Sequence, residues 1–133
     1  MTRYLLDTNI LSDIARNPLG AARIRLVQVG EGEVCTSIIV AAELRFGLEK
    51  RGSAPLRHAV EGVLKRMAVL PFDRPADEAY AKLRVLLEAK DEPIGANDLL
   101  IAAHAVATGC ILVTDNEREF ARVPGLTVEN WRR

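Results

Sequence analysis

The sequence predicts an α/β fold, a three-layer α/β/α sandwich around a central, mostly parallel sheet, in one domain spanning 1–133. Three observations predict it. Short apolar runs alternate with longer helical stretches along the whole chain, the pattern of strands joined by crossover helices. Runs such as Cys110-Ile111-Leu112-Val113 are apolar without alternation, as strands covered on both faces are. The length of 133 residues suits one domain that buries roughly two thirds of the surface its unfolded chain exposes.

The elements follow in order. Residues 3–7 read as a strand and 9–15 as a short helix, broken by Asn17-Pro18-Leu19-Gly20. A second helix covers about 20–29 and ends at Gly30-Glu31-Gly32. Residues 33–36 form a strand, and Ser37 caps a helix running to about Lys50, before Gly52. A helix over about 55–66 precedes the strand 68–72, which Pro71 marks as an edge or a strand end. Pro75 opens a helix to about Lys90. Asn97 is placed to cap a helix over 98–108, closed by Gly109. Residues 111–114 form a strand, 116–120 a short helix and 126–129 a last strand.

Composition removes several function classes. Eighteen basic and eighteen acidic residues balance to zero net charge, which argues against a surface that binds nucleic acid everywhere but permits a local basic rim. Lys50 to Arg66 is such a stretch, with five cations against Glu61. No apolar run is long enough for a membrane span, and the N-terminus lacks the pattern of a signal peptide. Cys35 and Cys110 stand far apart, outside metal or redox spacing, and read as buried free thiols in a reducing, cytoplasmic setting. His58 lies in the basic stretch and His104 faces packing or solvent, so no zinc pattern arises. There is no phosphate-cradling GxxxxGK[ST] and no GxGxxG after a strand.

The acids at the strand ends carry the chemistry. In open parallel sheets ligands sit beyond the carboxyl ends of the strands. "YLLDTN" ends a strand on Asp7, and "ILVTDN" ends another on Asp115. In "TSIIVAAELRFGLEK", Glu43 shares its helix face with Ile39, Val40, Phe46 and Gly47, an apolar stripe on which a carboxylate needs a partner. In "IGANDLLIAAHA", Asp98 starts an apolar helix, where a capping role is the plain alternative, but Asn97 beside it can cap instead. Asp73 has the same local look and is left out, because capping of the helix after it suffices. Asp7 itself could be a helix cap, a role Thr8 can take over. Four carboxylates around one point raise each other's pKa unless a cation neutralises them, and oxygen ligands suit Mg²⁺ or Mn²⁺. Such an ion in a carboxylate crevice points to phosphoryl chemistry.

Together "YLLDTNILSDIARNP", "TSIIVAAELRFGLEK", "IGANDLLIAAHAVATG" and "LVTDNEREFARVPGLTVENW" resemble PIN-domain ribonucleases, and among them the VapC toxins of type II toxin–antitoxin pairs, from Tyr4 to Trp131. The resemblance implies the three-layer fold and a Mg²⁺- or Mn²⁺-dependent endoribonuclease that cuts RNA, notably tRNA and in particular the initiator tRNA anticodon loop. It implies catalytic roles for Asp7, Glu43, Asp98 and Asp115, the metal held most directly by Asp7 and Asp98. Many relatives carry Asn in place of the last acid. Asn9, Thr114 and Asn116 become polar support. Arg45, Lys50 and Arg51 are the cations placed to anchor RNA phosphates. The resemblance further implies a VapB-type antitoxin that blocks the crevice, and a homodimer. Hydrolysis by an ion-activated water would leave a 5′-phosphate and a 3′-hydroxyl. Two rivals are set against this reading: a non-catalytic module on the same fold, and an aspartyl-nucleophile phosphatase. The latter expects a second aspartate at position 9, where Asn9 stands.

Overall fold

The computed structural model describes residues 3–133. Its sheet has five parallel strands: β1 (Tyr4–Leu6), β2 (Val34–Ser37), β3 (Ala68–Leu70), β4 (Ile111–Val113) and β5 (Val128–Glu129). Their spatial order is β3-β2-β1-β4-β5. β1 is therefore central, with Leu5 opposite Cys35 on one side and Leu112 on the other. The expected sheet is present and is parallel at every pairing. β3 lies on an edge and stops at Leu70, as Pro71 requires, because proline has no amide to continue a ladder.

Among the described residues seven α-helices connect and cover the strands: α1 (Thr8–Arg16), α2 (Ala21–Val29), α3 (Ile38–Arg51), α4 (Ala54–Lys65), α5 (Ala76–Ala89), α6 (Ala96–Thr108) and α7 (Glu117–Phe120). The first four pack among themselves and α5 packs along α6, so the sheet is sandwiched between two helical layers. The core runs through the middle strands: Leu5, Leu6, Cys35, Leu112 and Val113 are fully buried, with Ile10, Ile14, Ile101 and Phe120 closing over them. Cys35 and Cys110 are buried and unbridged, as expected. No helix among the described residues is long and apolar enough to cross a membrane.

Several local readings hold for clear reasons. Ser37 caps α3, its Oγ accepting from the Ile39 amide at 3.0 Å. Gly109 ends α6 with φ of 70°, a left-handed conformation that glycine adopts without a Cβ clash. His104 faces packing. It is buried, meets Ser37 Oγ at 2.7 Å and stands edge-on to Phe72 at 5.3 Å between centroids.

Three capping assignments are corrected. α1 is capped by Asp7 itself, whose carboxylate accepts from the Thr8 amide, and the Thr8 hydroxyl is used elsewhere. α6 begins at Ala96, with Gly95 in the cap position, so Asn97 is inside the first turn and caps nothing. α5 has Pro75 at its cap and no side-chain cap, so Asp73 does not cap it. Only the Asp73 carbonyl engages that turn, accepting from the Ala76 amide at 2.7 Å.

Candidate active site

The carboxyl ends of β1 and β4 lie side by side because Leu6 pairs with Val113. The next residue on each strand is Asp7 and Thr114. The Thr114 hydroxyl donates to Asp7 Oδ2 at 2.7 Å, and the Thr8 amide donates to Asp7 Oδ1 at 2.8 Å. Asp7 is 3% exposed, and its carboxylate is thus held rigidly at the floor of a cleft. Burial raises its pKa, the two donors oppose that rise, and the charges of Glu43 and Glu119 add to it.

Glu43 reaches this floor from α3. Its two oxygens accept from the Thr8 hydroxyl and, at 3.1 Å, from Asn97 Nδ2. Its place on the apolar stripe is explained: Ile39, Phe46 and Gly47 line the cleft beside it, while α3 buries Val40, Ala41, Leu44 and Leu48. Asp98 sits in the first turn of α6. Burial, the charges of Asp7 and Glu119, a hydrogen bond to Glu119 and the charge of Glu43 push its carboxyl up to about 7. Close carboxylates of this kind disfavour ionising together, and the burden falls on Asp98.

Glu119 was not among the acids that sequence reasoning selected. One of its oxygens accepts from the Gly95 amide at 2.7 Å and the other from Asn116 Nδ2 at 2.6 Å. Burial raises its pKa, but these donors and the Asp98 carboxyl outweigh it and hold the group below the usual carboxylate range. A Cβ on Gly95 would stand 3.7 Å from Asp98 Oδ2 and equally 3.7 Å from Glu119 Oε1, which places both carboxylates over that residue. The sequence offers one signal for Glu119. It lies three residues after Asn116 and directly before an apolar residue, but that spacing reads as a capping box.

Asp115 is not brought into the cluster. Side chains alternate along an extended chain, so Thr114 turning inward sends Asp115 outward. Its carboxylate accepts from Asn130 Nδ2 at 2.9 Å and pairs with Arg132 at 2.9 Å. Only its amide serves the site, donating to Asn9 Oδ1 at 3.0 Å and tying β4 to α1. Asn9, Thr114 and Asn116 lie around Asp7 and the end of β4. The Thr114 Oγ1 also accepts from the Asn116 amide at 3.0 Å.

The cleft has a volume of about 920 Å³. Asp7, Glu43 and Asp98 line it together with apolar side chains that include Ile39, Phe46 and Leu56, and Phe46 is 67% exposed. The three cations expected to anchor phosphates divide. Arg45 is engaged by Glu61, Lys50 lies over the Phe46 ring at 5.7 Å, and Arg51 lines the cleft.

Residues 4–126 match the PIN domain. The chain belongs to the PIN-domain family. It is 37% identical over 133 residues to the tRNA(fMet)-specific endonuclease VapC of Shigella flexneri, covering 98% of this chain and 99% of the relative. It is 38% identical over 134 residues to the ribonuclease VapC2 of Haemophilus influenzae, with 98% and 99% covered. The fold is similar to that of the DNA-bound VapBC of Salmonella typhimurium, with a TM-score of 0.91 and 35% identity over 98% of this chain and 99% of that one. The family and the sandwich fold expected from the motifs are thereby established.

In this PIN domain the donor set fits a hard divalent cation. The acids facing the cleft floor present only carboxylate oxygens, and their mutual repulsion is what a cation relieves. Among the described residues no three of them converge tightly enough to enclose an ion as the side chains stand.

Proposed function

We propose that this PIN domain is a Mg²⁺- or Mn²⁺-dependent endoribonuclease and the toxin of a VapBC-type pair. The observation that carries the reading is the convergence of Asp7, Glu43 and Asp98 on one cleft, each from a different element, with Glu119 set against Asp98 beside it. Asp7 and Asp98 would hold the ion, with Glu43 and Glu119 completing the surrounding charge. When bound, the ion polarises a phosphoryl oxygen and lowers the pKa of water beside it.

The chain's own residues do the rest. Thr114 and Thr8 keep Asp7 in one orientation, so no reorganisation is needed as charge develops. Glu43 is held by Thr8 and Asn97 with its carboxylate at the cleft edge, placed to orient or accept a proton from the attacking water. The expected products are a 5′-phosphate and a 3′-hydroxyl.

The substrate proposed is tRNA, supported by the relative in Shigella flexneri named for tRNA(fMet). A VapB-type antitoxin is the proposed partner, since the similar structure from Salmonella typhimurium is a VapBC. The exposed apolar lining beside the acids, Phe46 foremost, suits an apolar segment of it. A cytoplasmic homodimer completes the reading, and light scattering on the purified chain tests the dimer. The deciding experiment is purified protein on total tRNA with Mg²⁺, with EDTA, and as Asp7→Ala, followed by mapping of the new 5′ ends. Cleavage at defined positions that EDTA and Asp7→Ala abolish is expected. Cleavage that survives Asp7→Ala in excess Mg²⁺ overturns the scheme.

A further inference from the structure

The cleft is polarised. Its acids lie where α1 and α3 approach the sheet, and both helices run away from that point along its walls. On α1, Asn9, Ser12 and Arg16 share one face and all line the cleft. On α3, Glu43, Gly47 and Arg51 do the same. At 1.5 Å per residue, Arg16 lies about 10 Å beyond Asn9 and Arg51 about 12 Å beyond Glu43. Each wall thus ends in an arginine at similar range from the acids, too far to touch the reacting phosphorus.

These two cations differ from the others near the cleft. Arg45 is paired with Glu61, Arg57 with Glu49, and Lys50 stacks on Phe46. Arg16 and Arg51 are exposed and make no ion pair or side-chain hydrogen bond among the described residues. Position at the last turn of a helix gives each a small dipole stabilisation, but that does not require facing the cleft. Gly47, midway along α3, leaves open space where a side chain would stand, so a strand can pass along that wall.

We propose that Arg16 and Arg51 form a two-sided clamp that grips RNA phosphates flanking the scissile one, and that Arg45 has no part in it. The carboxylates repel a polyanion, so the strand needs fixed positive charge within the same cleft, and the free guanidiniums at its far end supply it. The proposal rests on the ribonuclease reading for its substrate class but is testable apart from catalysis.

The test is binding of a labelled single-stranded RNA oligonucleotide, read by fluorescence anisotropy in EDTA across a KCl series, together with steady-state cleavage in Mg²⁺. Arg16→Ala and Arg51→Ala are expected to weaken binding about three- to tenfold at low salt. Each should make the plot of log affinity against log salt shallower by about 0.7, one single-strand phosphate contact. In cleavage they raise KM and leave kcat within about twofold. Arg16→Lys keeps the wild-type salt slope, because a point charge still neutralises a phosphate. Arg45→Ala behaves as wild type. Wild-type affinity and slope in both alanine variants, or an equal loss in Arg45→Ala, overturns the clamp. If the wild type binds RNA without cleaving it and both alanine variants still lose affinity and slope, the ribonuclease reading falls and the two arginines stand as an RNA-phosphate clamp. If the wild type does not bind RNA, both fall.

Discussion

Thr114→Val replaces a fully buried hydroxyl by a methyl of nearly the same size, so it changes chemistry without opening a cavity. Two bonds are lost. The donation to Asp7 Oδ2 at 2.7 Å is a bond to a charged group, worth about 1.5–3 kcal/mol, and the Asn116 amide loses its acceptor at 3.0 Å. A net destabilisation of about 2–3 kcal/mol at neutral pH is expected. With an unfolding entropy near 2.1 cal/mol/K per residue, a domain of this length loses about 7–11 °C in Tm. The pH dependence identifies the cause. Asp7 already has a raised pKa, so the stability tied to its protonated form is present in acid and lost as pH rises through the folded value. Removing the Thr114 donor raises that value further, so the penalty is largest where Asp7 is ionised and shrinks as pH falls. Denaturant unfolding of wild type, Thr114→Val and Thr114→Ser at about pH 7.5 and pH 4.5 measures it. Thr114→Ser keeps the hydroxyl and is expected to show no such pH dependence. An equal penalty for Thr114→Val at both pH values, or one below about 0.5 kcal/mol, refutes the reasoning.

Three further expectations follow from the same site. Asp98→Asn removes a carboxyl whose pKa stands at about 7, and since a raised acid loses stability as pH climbs from its ordinary value to that one, the variant in EDTA should melt above the wild type at pH 8 and show no advantage at pH 4. A constant difference in calorimetric Tm across that range rejects this. Glu119→Gln should lower single-turnover cleavage of tRNA by at least about tenfold, while Asp115→Asn stays within about threefold, as loss of one exposed ion pair implies. A hundredfold loss in Asp115→Asn would return that residue to the centre. Phe120→Ala should cost about 3–5 kcal/mol in denaturant unfolding, since Phe120 is fully buried and anchors the helix that presents Glu119. A change under about 1 kcal/mol would show that α7 is held by other contacts.

The legibility of the site varied with how local its causes are. Asp7, Glu43 and Asp98 stood out because each breaks a local rule: an acid at the end of an apolar strand, on an apolar stripe, or at a helix start with a second polar residue beside it. Glu119 breaks none. Asn116 and Glu119 look like a cap and its partner, and the amide that completes the arrangement belongs to Gly95, twenty-four residues away. Asp115 shows the reverse case, a local likeness that the fold turns away from the other acids. "TDN" resembles "DTN", but β1 turns its aspartate inward and β4 its threonine, and that difference of one residue in phase reverses the side chain's direction. The caps failed for a similar reason. Thr8 and Asn97 have capping chemistry, yet both donate to Glu43, a contact between α3 and the starts of α1 and α6.

What this sequence determined by itself was the α/β alternation, the two-sided burial of the middle strands, the end of the strand at Pro71, the Ser37 cap and the acids Asp7, Glu43 and Asp98 that the fold brings to one cleft. These depend on periodicity, on proline and glycine geometry, and on the cost of placing charge beside apolar residues, all of which act over a few positions. Tertiary structure alone decided which further acid stands against Asp98, which cations remain free along the cleft walls, and how strongly Asp98 holds a proton. Those depend on distances between residues far apart in the chain, and electrostatic interaction follows distance in space.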